Sequence, residues 1–302
     1  MATTLDSQWP SAATLLQSRL VPERKNVALL GVPTYATSLS KRSSASTPEA
    51  VRRAFERYST WSFLDRVDLA SFVAMVDYGD VVDPDGEGGI ERVAALLSTV
   101  AKEVDLTLIL GGDNAATWHT LRTLTAGNFE NFGLITLDAH LDLREGRSNG
   151  SPVRQLLDEG LDARHAVQVG LGDFSNSAPY AQRALDAGVT VIDRDVFRHE
   201  DVSAIAQKAI EVAGAGGRTI YVDIDLDVCD RSVVPGCPAA APGGLSADEV
   251  RRFVREVASS PKVTAIDFTE IDVEQDSPDE RTVRLAALLV LEALAGVQRR
   301  TS

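Results

Sequence analysis

Eight short apolar, β-branched runs recur along the chain: Val27–Val32, Phe72–Val76, Leu106–Leu110, Gly133–Leu137, Val167–Gly170, Val189–Ile192, Thr219–Ile224 and Val263–Ile266. Helix-like stretches separate most of them: Pro48–Tyr58 with Thr47 as its N-cap, Ile90–Glu103, Ala178–Ala187, Ser203–Val212, Ala247–Ala258 and Thr282–Val297. Strands that are nearly continuously apolar must be covered on both faces, and their alternation with helices calls for parallel pairing. The pattern therefore predicts an α/β fold: one domain with a mostly parallel eight-stranded sheet and helices on both faces. No repeat, low-complexity block or pooled turn residues mark a boundary, so residues 1–302 are read as one domain, with 1–24 as an N-terminal extension.

In such a sheet, chemistry belongs at the carboxyl ends of the strands. There the chain is acidic. Gly111-Gly112-Asp113-Asn114 follows the third run, and Asp138-Ala139-His140-Leu141-Asp142 the fourth. Asp223-Ile224-Asp225-Leu226-Asp227-Val228-Cys229-Asp230 ends the seventh, and Asp267-Phe268-Thr269-Glu270 the eighth. In extended backbone, residues two apart share a face, so Asp138, His140 and Asp142 can point together, as can Asp225 and Asp227. A lone D-x-D carries little weight, because an Asp at a strand end also caps helices and makes turns. Two such motifs after apolar strands in one chain are another matter. Four carboxylates and an imidazole crowded into one crevice repel and desolvate one another unless a divalent cation joins them, and two cations sharing carboxylates suit the set best. Oxygen-rich ligation with a single nitrogen favours Mn²⁺ over Zn²⁺ or Cu²⁺.

Composition narrows the partners. Asp plus Glu outnumber Lys plus Arg 44 to 30, and a net charge of −14 argues against nucleic acid or an anionic membrane surface. The longest apolar run, Leu285 to Val297, is broken by Glu292 and too short to span a bilayer, and the first residues carry no secretory pattern. The expectation is a soluble cytoplasmic protein whose two cysteines, Cys229 and Cys237, are reduced thiols.

D-A-H-x-D followed by D-x-D-x-x-D, then Pro235 and Gly243-Gly244-Leu245, resembles the arginase, agmatinase and formiminoglutamase family of binuclear manganese ureohydrolases, and the likeness runs from Gly31-Val32-Pro33 and Thr47-Pro48-Glu49-Ala50-Val51-Arg52 to Glu270. The resemblance implies an arginase-like three-layer α/β/α fold and a trimeric or hexameric homo-oligomer. It implies that Asp138 and Asp225 bridge two Mn²⁺ ions, that Asp142 completes one site, and that His140 and Asp227 complete the other. Glu270 matches the carboxylate that holds a cationic amidino or guanidino group, and Asp142 would also orient the attacking hydroxide. Two departures stand out. Asn114 occupies the place of a histidine ligand, which implies a weaker first site, and Asn149-Gly150 replaces a histidine-glycine pair that arginases and agmatinases use.

That second departure, with arginine two residues after the motif at Arg144, points to the formiminoglutamase branch. Arg144 also makes sense alone, because an acidic pocket receiving a dicarboxylate needs a fixed cation that can grip a carboxylate bidentately. Arg154 is the candidate for the second carboxylate. The expected reaction is hydrolysis of N-formimidoyl-L-glutamate to L-glutamate and formamide, a step of histidine degradation. Two alternatives are an agmatinase or guanidino-acid hydrolase releasing urea, and a catalytically silent ligand-binding member. Retention of the four aspartates, His140 and Glu270 weighs against silence.

Overall fold

The computed structural model describes residues 6, 8–17, 19–40, 45–100 and 102–300. In chain order the strands are β1 (Leu16–Gln17), β2 (Lys25–Val32), β3 (Trp61–Ser62), β4 (Val67–Asp68), β5 (Val73–Asp80) and β6 (Leu106–Gly111). They continue as β7 (Phe132–Leu137), β8 (Ala166–Leu171), β9 (Thr190–Asp193), β10 (Thr219–Asp225) and β11 (Val263–Thr269). The helices are α1 (Thr47–Ala54), α2 (Gly89–Leu97), α3 (Ala115–Leu124), α4 (Pro152–Asp158), α5 (Ala178–Ala187), α6 (Val202–Ala213), α7 (Ala247–Ser259) and α8 (Arg281–Gln298).

Among the described residues, nine strands form one sheet in the order β1-β5-β2-β6-β11-β10-β7-β8-β9, and every pairing in it is parallel. All eight expected strands are present. The ninth, β1, extends the sheet beside β5 with Leu16 opposite Met75, and the adjacent Ala12 and Leu15 are buried in the core. β3 and β4 make a separate antiparallel pair. Neighbouring residues on one strand serve opposite faces, as the extended backbone requires. Leu29, Leu108 and Val222 pack with Val51 of α1, Ile205 of α6, Phe253 of α7 and Leu289 of α8. Leu30, Ile109 and Tyr221 pack with Val93 of α2, Trp118 of α3, Leu156 of α4 and Ala184 of α5. Fully burying one such side chain is worth about 1.5–3 kcal/mol, so the two layers together hold the sheet between them.

Two local expectations change. Thr47 is not the N-cap of α1: it is buried inside the helix and its hydroxyl donates to the Ile271 carbonyl at 2.9 Å, while exposed Ser46 takes the cap position. The stretch after Gly89 stays helical only to Leu97. Among the described residues, no helix is long and apolar enough to cross a membrane.

The strand order matters most for function. β6, β11, β10 and β7 are contiguous, and the register sets Phe268 beside Leu110, Asp225 beside Thr269 and Ile224 beside Leu137. The four acidic strand exits therefore leave the sheet side by side at one level.

Candidate metal centre

At two of these exits the backbone turns sharply. Asp142 and Glu270 adopt left-handed conformations, with φ of 52° and 60°, which non-glycine residues take at a cost of about 1–3 kcal/mol when the surroundings enforce it. The loop Asp138–Asp142 is pinned from outside. Asn176 accepts from the Leu141 N–H at 2.8 Å and donates to the Ala139 carbonyl at 3.0 Å, and Gln168 donates to the Leu141 carbonyl at 2.6 Å. Neither Asn176 nor Gln168 stood out in the sequence, because a clamp on backbone amides has no motif of its own.

Asp138, His140 and Asp227 each bring one ligand atom to within 4.8 Å of the others. Nδ1 of His140 lies 2.7 Å from Asp227 and 3.5 Å from Asp138. The carboxylates are further oriented by backbone donors: Ala139 N–H to Asp227 at 3.1 Å, His140 N–H to Asp138 at 2.6 Å, and Asp227 N–H to Asp225 at 2.8 Å. Asp138, Asp142, Asp225, Asp227 and Glu270 are all buried.

Burial and mutual repulsion dominate the electrostatics. Burial, reinforced by Asp142 and Asp227, holds Asp138 well above the usual carboxylate range, and burial with Asp227 and Asp138 does the same to Asp225. Burial likewise lifts Asp142 to about 7, with Asp227 and Glu270 adding to it against the opposing pull of His140. For His140 burial works downward, yet the facing Asp227, with Asp142 and Glu270, raises the imidazole to about 9. Asp227, against the effect of its burial, is drawn below its ordinary value by His140. The cluster demands positive charge.

Glu270 sits at the rim of this cluster, its Oε1 accepting from the Asn114 backbone N–H at 3.1 Å and from the Asn149 side chain at 2.9 Å. Asn114 is at the site: its Nδ2 donates to Asp142 Oδ2 at 2.6 Å, while its Oδ1 faces the hydroxyls of Thr117 and Thr269 at 2.8 and 3.1 Å. Arg144 is exposed and lines a cavity of about 150 Å³ together with His140, Asp142, Ser175, Asn176 and Tyr180. Arg154, the candidate for the second carboxylate, has its guanidinium engaged within the protein. Its guanidinium donates to the Arg144 carbonyl at 2.7 Å, to the Gly146 carbonyl and to Asp158, so it braces the loop that carries Arg144. Both cysteines are free thiols buried in the core.

The donor set fits divalent cations. Oδ2 of Asp138 is buried without any hydrogen-bond donor, the carboxylates converge from adjacent strands, and one imidazole stands among oxygens. Asp138, His140, Asp142, Asp225 and Asp227 are the residues that would hold them.

A sequence model of the Arginase family matches residues 25–296. Formimidoylglutamase of Bacillus subtilis (strain 168) is 33% identical over 288 residues, covering 91% of this chain and 88% of its own length. That of Halobacterium salinarum is 30% identical over 284 residues, 90% of this chain and 88% of its own. The crystal structure of the B. subtilis formimidoylglutamase matches with a TM-score of 0.89 at 29% identity, over 100% of this chain and 96% of that one. Trypanosoma cruzi formiminoglutamase with Mn²⁺ shares the fold, at a TM-score of 0.86 and 22% identity over 97% of this chain and 100% of that one. A family match spanning all four acidic strand exits makes this chain a member of the Arginase family.

Proposed function

We propose that the chain hydrolyses N-formimidoyl-L-glutamate to L-glutamate and formamide, using two Mn²⁺ ions, and that it does so in the cytoplasm as a homo-oligomer. The observation that carries the substrate class is that Arg144 lines one cavity with His140 and Asp142, where its guanidinium would suit a substrate carboxylate. The formimidoylglutamase relatives support the same reading.

When bound, the ions lower the pKa of water so that hydroxide is available near neutral pH. Glu270, fixed by Asn114 and Asn149, sets a carboxylate against the amidinium of the substrate. Arg144 holds a substrate carboxylate by paired hydrogen bonds and so orients the amidine carbon toward Asp142. Asp142 would orient the attacking water and relay its proton to the departing amine.

The test is a Mn²⁺-supplemented assay with formiminoglutamate, agmatine, arginine and guanidinobutyrate side by side. Formamide from formiminoglutamate in clear excess over urea from the others supports the reading. Urea release as the faster reaction would make the chain a guanidino hydrolase, and no turnover of any of the four would make it a silent member.

A further inference from the structure

Behind Asn114, three acceptors compete for two protons. The Thr117 hydroxyl lies 2.8 Å from Asn114 Oδ1 and 2.9 Å from Asp267 Oδ2. The Thr269 hydroxyl lies 3.1 Å from the same Asn114 Oδ1 and 3.3 Å from Asp223 Oδ1. Each hydroxyl owns a single proton. If both are given to the amide oxygen, neither threonine donates to its aspartate, and the fully buried Asp223 and Asp267 are left with the hydrogen bond between their own carboxyls and the one from Tyr221. A buried carboxylate deprived of donors is expensive.

Exchanging the two ends of the amide removes the conflict. The two ends are nearly the same size and shape, and the –NH₂ group carries two protons, one for each threonine oxygen. Each threonine then passes its own proton outward, Thr117 to Asp267 and Thr269 to Asp223. Asp267 keeps a second donor in Tyr221, whose hydroxyl lies 2.6 Å away, so the chain of donors runs without a gap from the amide into the sheet. The exchange leaves the amide oxygen facing Asp142 Oδ2, an approach that the carboxyl proton bridges while the site is empty and that a shared cation bridges once the carboxylate is ionised.

We propose that Thr117 and Thr269, anchored by Asp267 and Asp223, are positioning residues that hold the Asn114 amide with its oxygen aimed at the divalent-cation site beside Asp142. The inference rests on the two-metal reading above. It gives Asn114 a ligand role through residues outside the ligand motifs. Asp223 and Asp267 face each other across β10 and β11, two positions before Asp225 and Thr269, which puts their support directly beneath the site.

The experiment is a Mn²⁺ titration of metal-stripped wild type, Thr117→Val, Thr269→Val and the serine variants at both positions. It is read by bound metal and by the electron paramagnetic resonance of free Mn²⁺, with melting temperatures of the metal-stripped proteins alongside. Valine keeps the shape and removes the hydroxyl. Each valine variant should weaken one of two Mn²⁺ sites by roughly 10–100-fold while leaving the other unchanged, and serine should restore it. Wild type that saturates below two Mn²⁺ per chain would overturn the two-metal reading itself. Wild type with two sites and valine variants with the same titration would overturn the positioning role alone. So would a loss shared equally by both sites with a fall in melting temperature, which is the mark of a purely structural contact.

Discussion

Asn149 donates its side-chain amide to Glu270 at 2.9 Å while its own carbonyl oxygen accepts from the Leu39 backbone N–H, also at 2.9 Å. The loop after the Asp138–Asp142 segment thus ties the Glu270 carboxylate to the loop after β2. Together with the Asn114 N–H, Asn149 fixes where Glu270 can place its charge.

Replacing Asn149 by alanine should therefore loosen Glu270 without disturbing the sheet. A hydrogen bond to a charged group is worth about 1.5–3 kcal/mol, which converts to a fall in kcat/KM of roughly 10–150-fold. Steady-state kinetics on formiminoglutamate, with bound Mn²⁺ and melting temperature as controls, check it. Unchanged kinetics would show that Glu270 is held by something else.

Arg144→Ala should act on binding. Removing one charge-assisted grip raises KM for a dicarboxylate by roughly 10–150-fold, corresponding to about 1.5–3 kcal/mol, with kcat within a few-fold. Turnover of agmatine, which has no carboxylate, should not respond. An equal loss on both substrates would move Arg144 from recognition to folding, where its backbone N–H already bonds to the Gly150 carbonyl at 3.0 Å.

What could be read in advance follows from the reach of each interaction. Strands such as Leu106–Gly111 and Thr219–Asp225 advertise themselves because parallel strands buried on both faces must be apolar throughout, and their acidic exits break that pattern abruptly. β1 does not, because two residues carry no period and its pairing with Met75 and Val76 exists only once β5 is in place. The bracing contacts of Arg154 are hidden for the same reason: the carbonyls of Arg144 and Gly146 that it binds become a target only when the loop folds. Asp223 and Asp267 were visible among the strand-end acids, yet their inward side chains and threonine partners come from the pairing of β10 with β11 and from α3.

Metal-stripped protein should lose stability as pH rises. A group whose pKa is raised by folding holds its proton more tightly when folded, so its contribution is complete below the unfolded value and vanishes as pH climbs through the folded one. For Asp142 that window runs from 3.8 to about 7, and for His140 from 6.5 to about 9. Asp138 and Asp225 act in the same sense, while Asp227, held below its ordinary value, acts oppositely in acid. Thermal melts in chelator should give a higher melting temperature at about pH 5 than at about pH 9. Added Mn²⁺ should reverse the trend, because its ligands must be deprotonated to bind. A melting temperature that rises with pH in chelator would contradict the clustering of these carboxylates.

The Asn114 position offers the sharpest single substitution. An amide oxygen is a weaker donor to first-row divalent ions than an imidazole nitrogen, so protein purified without added metal should hold fewer than two ions, with activity that depends on supplementation. Asn114→His places the stronger donor between Asp142 in front and the hydroxyls of Thr117 and Thr269 behind. A ring that binds metal through one nitrogen carries a proton on the other, and the threonine oxygens can accept it as they would accept from an amide. The variant should therefore approach two Mn²⁺ per chain at lower free Mn²⁺ than wild type, with activity equal or higher. Titration of both metal-stripped proteins at one pH, followed by bound metal and by rate, decides the matter. Coincident curves would place Asn114 away from the metal and remove the end of β6 from the ligand set.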